Sequence, residues 1–204
     1  MNHPRVDISA GAAMLAALLF YLARPEELAA VLLPVLIHEL GHLLLITTLG
    51  LRLRGIRAAM DGFTLAYTGE IGATGQVLIA AAGPVAGFLY AWVASALGNR
   101  LEWDWLCLSA GVSLLLSIFN LLPALPLDGG QMIKPVLDHM LGEEGTERLL
   151  RAFSLSIAVL LTAGGLLLVL QKKGAALFLA GFWLFWNAMD GFAGFGLVKK
   201  GRIL

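Results

Sequence analysis

The sequence predicts an all-α polytopic membrane protein with about six transmembrane helices and a small membrane-associated β-hairpin. Hydrophobic residues make up 59% of the 204 residues and charged residues only 14%, a balance far from that of soluble proteins. Apolar runs long enough to cross a bilayer recur along the chain and are separated by short polar segments. One of these segments contains two stretches of alternating apolar and polar residues, a pattern typical of short strands.

The predicted spans are six apolar runs, of which the first could instead be a signal peptide. Arg5 would supply the basic start of such a peptide and Ala23 a small residue near its end. We favour a retained span, because the run lacks a clear small-x-small cleavage site and the chain continues almost at once into the next apolar run. The six runs are residues 8–23, 28–49, 71–97, 103–122, 153–170 and 175–189.

The distribution of basic residues predicts the orientation in the membrane. Ten of the 14 lysines and arginines fall in segments on the same side as the N-terminus, and four fall on the other side. Because basic residues concentrate in cytoplasmic loops, we expect both termini to be cytoplasmic. The ten are Arg5, Arg52, Arg54, Arg57, Lys134, Arg148, Arg151, Lys199, Lys200 and Arg202.

Net charge and cysteine content narrow the possible functions. The 14 basic residues balance 14 acidic ones, so the chain offers no case for a nucleic-acid partner or an acidic substrate. Cys107 is the single cysteine, so the chain cannot form an internal disulfide. Its position in an apolar run indicates a packing role.

The segment between the second and third spans predicts the β-hairpin. Residues 51–54 and 63–68 alternate between apolar and polar types, and Asp61 and Gly62 lie between them. The alternative is an amphipathic loop that rests at the interface with its arginines on lipid phosphates. A free strand edge would matter for function, because edge pairing can hold a peptide extended through main-chain hydrogen bonds.

The second span carries the most informative motif, His38-Glu39-Leu40-Gly41-His42. On a helix His38 and His42 stack one turn apart, so their imidazole nitrogens converge, and Glu39 flanks the same face. This pattern is typical of zinc peptidases, in which the metal keeps one position open for water and a nearby carboxylate can take the proton of that water. The alternative is a chance match, but burying three such groups in lipid is costly unless they are paired or bind a metal.

The fourth span ends in a segment rich in proline and glycine, residues 120–130, which contains Asp128. Two prolines and two glycines should end the helix there and turn the chain back. The alternative is a simple helix stop at the cytoplasmic face with Asp128 solvated. Against this, the two histidines still lack a third protein ligand, and Asp128 is predicted at the same membrane end as His42.

Other polar or small residues support weaker interpretations. The small residues at 81–87 favour close helix packing, and Pro84 within them frees backbone groups that neighbours must satisfy. His139 is expected on an interfacial helix over 131–142 rather than on a metal. Asn187 and Asp190 could be solvated or could help to gate access, and the sequence does not decide between these roles.

The two motifs together, HELGH and the later NLLPALPLDGG, resemble those of the site-2 protease family of intramembrane zinc metalloproteases, and short loops with six spans are most similar to its SpoIVFB-like branch. The resemblance implies that His38, His42 and Asp128 bind one Zn²⁺ per chain and that Glu39 is the general base. It also implies that Asn120 helps to hold the substrate carbonyl or the tetrahedral oxyanion.

The same resemblance implies a substrate and a location. We expect cleavage of transmembrane or membrane-tethered regulatory proteins near the cytoplasmic side of a bacterial cytoplasmic membrane, with a sporulation or stress transcription factor as one possible product. Regulatory membrane partners would be compatible with such a role. The identity of the substrate and the oligomeric state do not follow from the sequence.

The chain also departs from the family pattern. Gly87 stands where the family often has asparagine, which puts a polar role at that position in doubt. The 85 residues between His42 and Asp128 leave no room for a PDZ insertion, and only 14 residues follow Asp190, too few for a CBS domain. We therefore expect a single intramembrane metalloprotease domain over residues 1–204.

Two rival functions use the same residues. A metal transporter also places histidine and carboxylate groups near the membrane midplane. A catalytically silent pseudoprotease would only hold membrane clients. Glu39 discriminates a protease from a transporter, because neutralising this carboxylate stops proteolysis even though the metal stays bound. For a pseudoprotease, loss of zinc should not change the size of any client.

Overall fold

This computed structural model describes residues 5–10, 14, 20–21, 24–59 and 62–189, and most of them are α-helical. The chain divides into two compact units, Met1–Phe119 and Asn120–Leu204. The prediction of one domain over residues 1–204 stays a prediction. In chain order the elements are β1 (Arg5–Ile8), α1 (Pro25–Thr48), β2 (Arg52–Ala59), β3 (Gly62–Thr68), α2 (Ala73–Leu101), α3 (Asp104–Asn120), α4 (Asp128–Leu170) and α5 (Ala176–Met189).

The predicted helical membrane class is confirmed, but the number of six spans is not. Within the described residues, α1, α2 and α4 are long and apolar enough to cross a membrane. The helices α3 and α5 are apolar but have 17 and 14 residues, about 26 and 21 Å at 1.5 Å per residue against a hydrocarbon core of about 30 Å. The predicted first span, residues 8–23, lies mostly outside the described residues.

Helix α1 begins where the local sequence favours a helix start. Pro25 occupies the first turn, where its missing N–H and fixed φ are tolerated. The backbone N–H of Arg24 donates a hydrogen bond of 3.1 Å to Glu27 Oε2. Glu26 and Glu27 also place negative charge at the positive end of the helix dipole. The chain leaves the helix through Gly50, whose φ of 74° suits glycine.

The predicted β-hairpin is confirmed, and a third strand joins it. Strands β2 and β3 pair antiparallel, with a bulge between Leu53 and Gly55. Strand β1 pairs parallel with β2, placing Arg5 opposite Gly55, so the sheet order is β1-β2-β3. The sequence prediction was wrong for Ile8, which belongs to this strand and not to a helical span. Asp61, the predicted turn residue, lies outside the described residues.

A small apolar cluster anchors the sheet to the helices of the first unit. Its buried members are Ile46 on α1, Leu51 before β2 and Ile79 on α2. Tyr67 on β3 packs against this cluster, and its burial raises the pKa of the phenol. The strands are therefore fixed next to the helix that carries the two histidines.

Close approach of α1 and α2 depends on small residues, as predicted for residues 81–87. Gly41 on α1 faces α2 so closely that an added Cβ would lie 2.5 Å from the Ala82 carbonyl oxygen and 2.7 Å from Ala86 Cβ. Pro34 and Pro84 are buried within their helices. Any side chain at Gly41 would push α1 away from α2.

The second unit is built from α4 and α5. Gly142 has φ 72° and ψ 167°, which are not helical, so α4 consists of two helices that meet at a kink; the predicted interfacial helix lies before Gly142 and the predicted fifth span after it. The helices α4 and α5 pack through glycines. A Cβ at Gly181 would lie 2.5 Å from Thr162 N, and Gly165 lies against the backbone of Phe178.

Candidate metal centre

Helix α1 brings the two predicted metal-binding histidines together. Both side chains are buried, at 4% exposure for His38 and 9% for His42. Their Nε2 atoms lie 3.3 Å apart, and the rings meet edge to face at an angle of 77°. The i, i+4 spacing in the sequence predicts this convergence, and the structure confirms it.

The distance between the two nitrogens fits a shared zinc ion. Two nitrogens held 2.0–2.1 Å from one ion at the tetrahedral angle lie about 3.3 Å apart. Two neutral imidazole nitrogens at this separation are also suited to zinc by their chemistry. The donor atoms therefore need no rearrangement between themselves to bind the metal.

A hydrogen bond fixes which nitrogen of His42 faces the centre. His42 Nδ1 lies 2.8 Å from the carbonyl oxygen of Ile79, so the Nδ1–H donates to that oxygen. The lone pair then remains on Nε2, the atom that points toward His38. Such outer bonds orient metal-binding histidines and raise their basicity. The sequence motif did not identify Ile79, because the bond uses a backbone atom of another helix.

Gly83 on α2 leaves the space in which the two histidines meet. An added Cβ at this position would overlap His42 Nε2 and lie 2.8 Å from His38 Nε2. The sequence predicts only a general role in helix packing for this glycine. Its particular role depends on which helix faces the motif, and this was not available from the sequence.

Glu39 follows His38 on the same helix and is half-buried. On a helix this position flanks the face that carries the two histidines. A carboxylate there can exchange a proton with a group held at the centre. Its role as general base stays a prediction.

Asp128 belongs to the second unit and is buried, at 9% exposure. It occupies the first turn of α4, directly after Leu127, whose backbone is extended. A carboxylate at this place is stabilised by the positive end of the helix dipole. The predicted simple helix stop with a solvated Asp128 is therefore not what the structure shows.

The loop before Asp128 is held by specific contacts. Ser154 Oγ accepts a hydrogen bond of 2.9 Å from Leu125 N–H, and the Gln131 side chain donates one of 3.1 Å to the Pro126 carbonyl oxygen. Gly130 packs on Ala124, where a Cβ would lie 2.6 Å from the carbonyl carbon and oxygen. No sequence motif points to Ser154, which lies 29 residues from Leu125.

The other polar residues that the sequence singled out lie on helices α3, α4 and α5 or outside the described residues. Asn120, the predicted oxyanion residue, ends α3 and is half-buried. His139 is exposed on α4, consistent with its interpretation as an interfacial residue. Asn187 Nδ2 donates to the Trp183 carbonyl oxygen at 2.9 Å, and Asp190 lies outside the described residues. The zinc-binding roles of His38, His42 and Asp128 and the substrate-binding role of Asn120 stay predictions.

Comparison with protein families decides the class of protein. Residues 11–126, more than half of the chain, match the family described as Peptidase M50B-like, and residues 99–163 match Peptidase family M50. The chain belongs to the peptidase M50B-like family. The predicted site-2 protease family is thus confirmed, whereas the predicted SpoIVFB-like branch is not.

Individual relatives agree with the M50B-like assignment. A zinc metalloprotease of Methanocaldococcus jannaschii is 27% identical over 138 residues, which are 65% of this chain and 40% of that protein. A relative from Synechocystis is 28% identical over 116 residues, which are 54% of this chain and 31% of that one. The chain thus matches less than half the length of these two relatives. The predicted zinc cofactor is confirmed at the level of the family.

A solved structure shares the fold of this M50B-like chain. The site-2 protease from Methanocaldococcus jannaschii superimposes with a TM-score of 0.71 at 20% sequence identity, covering 98% of this chain and 94% of that one. The similarity concerns the fold, and the site residues are assigned from this chain's own sequence and geometry.

Proposed function

We propose that this protein is an intramembrane zinc metalloprotease that cleaves transmembrane or membrane-tethered proteins near the cytoplasmic side of the membrane. The observation that carries the proposal is the pair of buried Nε2 atoms 3.3 Å apart on an apolar helix. Buried polar groups in a membrane helix are costly unless they serve a site. Membership of a peptidase family supports proteolysis as the use of this site.

In this proposal His38, His42 and Asp128 hold one zinc ion per chain. Two imidazoles and one carboxylate are donors of the kind that can hold a metal, and they form an ordinary catalytic zinc set with a fourth position left open. When bound, zinc lowers the pKa of water and polarises a carbonyl group. The buried position of Asp128 at the start of α4 supports its assignment as the third ligand.

Glu39 and Asn120 act on the peptide bond that is cut. The Glu39 carboxylate takes a proton at the start of the reaction and delivers it to the leaving amine. The Asn120 amide donates a hydrogen bond to the carbonyl oxygen of the substrate as negative charge develops there. Neutralising Glu39 should therefore stop cleavage without removing a metal ligand.

The substrate must unwind near the bond that is cut. In a helix each peptide carbonyl is engaged in the i to i+4 hydrogen bonds and is not available to a metal centre. Glycine, proline or asparagine near the cytoplasmic end of a client span would lower the cost of unwinding by about 1–3 kcal/mol each. The outer edge of β3, opposite to the edge that pairs with β2, would receive the unwound stretch as an added strand.

The proposed membrane context follows from the charge distribution and the resemblance. Both termini lie in the cytoplasm, since ten of the 14 basic residues are on that side. The membrane is a bacterial cytoplasmic membrane, and the released fragment is a regulatory factor of the sporulation or stress type. Membrane clients and lipid are the partners this requires, and nucleic acid is not one.

A panel of purified single-span peptides tests the proposal. Each peptide carries a glycine, proline or asparagine near one end, and each has a control in which leucine replaces that residue. The zinc-loaded protein in detergent micelles should cut the first set within the span and cut the leucine controls more slowly. Equal cleavage of both sets would show that unwinding does not select the substrate. Zinc transport by liposomes that contain the protein, with no peptide cut, would favour the transporter instead.

Crosslinking tests the identity of the clients and the pseudoprotease alternative. The Glu39→Gln variant should bind clients without cutting them, so crosslinked clients can be identified by mass spectrometry. Clients that keep their full size in cells with the wild-type protein would indicate a pseudoprotease. Clients that shorten only when wild-type protein is present would support proteolysis.

A further inference from the structure

Three serines on α3 face α2, and one of them differs from the others. Ser109, Ser113 and Ser117 lie four residues apart on one face and are fully buried. Ser109 Oγ forms a hydrogen bond of 2.7 Å with the Tyr90 hydroxyl, and Ser113 Oγ donates one of 2.9 Å to the Gly87 carbonyl oxygen. Ser117 Oγ is buried without a hydrogen-bond partner.

Thr146 Oγ1 on α4 is also buried without a hydrogen-bond partner, but other hydroxyls on the described helices behave differently. They donate to the carbonyl oxygen four residues earlier, as Ser154 does to Leu150 at 2.8 Å and Thr162 to Ala158 at 2.7 Å. A buried hydroxyl without a hydrogen bond is unfavourable and calls for an explanation. Ser117 therefore has a hydroxyl donor that no described group of the resting protein uses.

The position of Ser117 is defined by two glycines on α2. A Cβ added at Gly87 would overlap Ser117 Oγ and lie 3.4 Å from Ser113 Oγ. Gly83, one helical turn earlier on the same face, is the residue that lies against the Nε2 atoms of His38 and His42. Positions four apart on a helix are separated by about 5–6 Å. The Ser117 hydroxyl is therefore about one helical turn along α2 from the metal-facing nitrogens.

We propose that the Ser117 hydroxyl donates a hydrogen bond to a backbone carbonyl oxygen of the substrate peptide held at the metal centre. The inference rests on the proposed function, because it requires a peptide at that place. An unwound peptide in a membrane exposes carbonyl groups that need donors, since lipid supplies none. Gly87 has no side chain, and Ser117 Oγ takes the place that a Cβ there would occupy. A single hydroxyl recognises the main chain, so Ser117 would position substrates of differing sequence.

Thermal stability tests whether the hydroxyl is free in the resting protein. Ser117→Ala should leave the Tm of the zinc-loaded protein unchanged or slightly higher, because no hydrogen bond is lost. The matched variants Ser109→Ala and Ser113→Ala remove bonds that are present, so their Tm should fall by about 2–4 °C. A fall for Ser117→Ala as large as that for Ser113→Ala would show that its hydroxyl has a structural partner, and would overturn the inference.

Cleavage of the single-span peptide panel tests the role with substrate. Relative to zinc content, Ser117→Ala should lower kcat/KM about 2- to 10-fold, the effect of losing one neutral hydrogen bond, while Ser109→Ala should leave it unchanged. Adding Gly87→Ser to Ser117→Ala should restore part of the activity, because a Cβ at position 87 reaches the place that Ser117 Oγ occupies. Metal content should be equal in all these proteins.

The outcomes separate this inference from the proposed function. If the wild-type protein cuts the panel and Ser117→Ala cuts it equally well, the inference is wrong and the proposed function stands. If the double variant is no better than Ser117→Ala, the hydroxyl does not act from this place and the inference is again wrong. If the zinc-loaded wild-type protein cuts no peptide, the proposed function fails and the inference fails with it.

Discussion

His38 and His42 present their Nε2 atoms to each other at 3.3 Å across one turn of an apolar helix. Gly83 on the neighbouring helix gives that pair its space, and the Ile79 carbonyl oxygen sets the tautomer of His42. Three separate features thus prepare the same two nitrogens for a metal. An accidental histidine pair would not require a glycine on a second helix and a hydrogen bond to a carbonyl oxygen of that helix.

Replacing Gly83 with a larger residue should prevent zinc binding, although all the proposed zinc-binding side chains are kept. In Gly83→Ala the new Cβ would overlap His42 Nε2, so we expect zinc content to fall from one ion per chain to a small fraction of that. Elemental analysis of the purified protein measures this. Gly111→Ala is the control, because nothing lies within 4 Å of a Cβ at that glycine. Full zinc occupancy in Gly83→Ala would contradict the assigned position of the metal.

Replacing a proposed zinc ligand should lower the zinc content of the protein, and replacing the proposed general base should not. His42→Ala and Asp128→Ala should each lose bound zinc, because three protein ligands are needed to hold the ion. Glu39→Gln should keep it, because the proposed role of Glu39 is proton transfer. Elemental analysis decides both points. If Asp128→Ala keeps full zinc occupancy and unchanged activity, the assignment of the third ligand is wrong.

Removing Ser154 should loosen the loop that carries Asp128. Ser154→Ala leaves the buried Leu125 N–H without its partner, which costs about 1–3 kcal/mol. We expect a lower Tm and weaker zinc binding in a competition assay with a chelator. Ser156→Ala is the control, since that exposed hydroxyl only bonds the Ala152 carbonyl oxygen, and it should change stability by less than about 0.5 kcal/mol. Equal effects of the two variants would argue against this role for Ser154.

Single cysteines tested in a Cys107→Ser background report the orientation. Positions 61 and 199 should be protected from an impermeant thiol reagent outside intact cells, while positions 100 and 172 should react, because basic residues favour the cytoplasmic side. Labelling of position 61 from outside would reverse the orientation. The proposed cleavage site would then move to the opposite half of the membrane.

The sequence predicted those features that a local pattern determines. The spacing of His38 and His42 implies convergence on any helix, and alternation around residues 51–68 implies a hairpin. The sequence did not predict strand β1, because this strand has only four residues and pairs with β2 through its main chain. The sequence did not predict the contacts of Gly83 and Ser117, because these contacts depend on which helix each residue faces. A periodic pattern does not specify that.

Length also limited what could be predicted. The predicted fifth span, residues 153–170, is shorter than the helix that contains it, because the polar segment 143–152 is also helical. Gly142, with φ 72° and ψ 167°, is not helical and separates this helix from the one over 128–141. A run of apolar residues does not show how far a helix continues into polar residues.

The most direct measurement compares peptide cleavage by wild-type protein and by the Glu39→Gln variant at equal, measured zinc content. Both proteins should contain one zinc per chain. Wild type should cut single-span peptides that carry a glycine, proline or asparagine near one end, and Glu39→Gln should cut them at least about 100-fold more slowly, because it lacks the carboxylate that transfers the proton. Cleavage at the same rate by the two zinc-loaded proteins would contradict the assignment of this centre as the site of proteolysis.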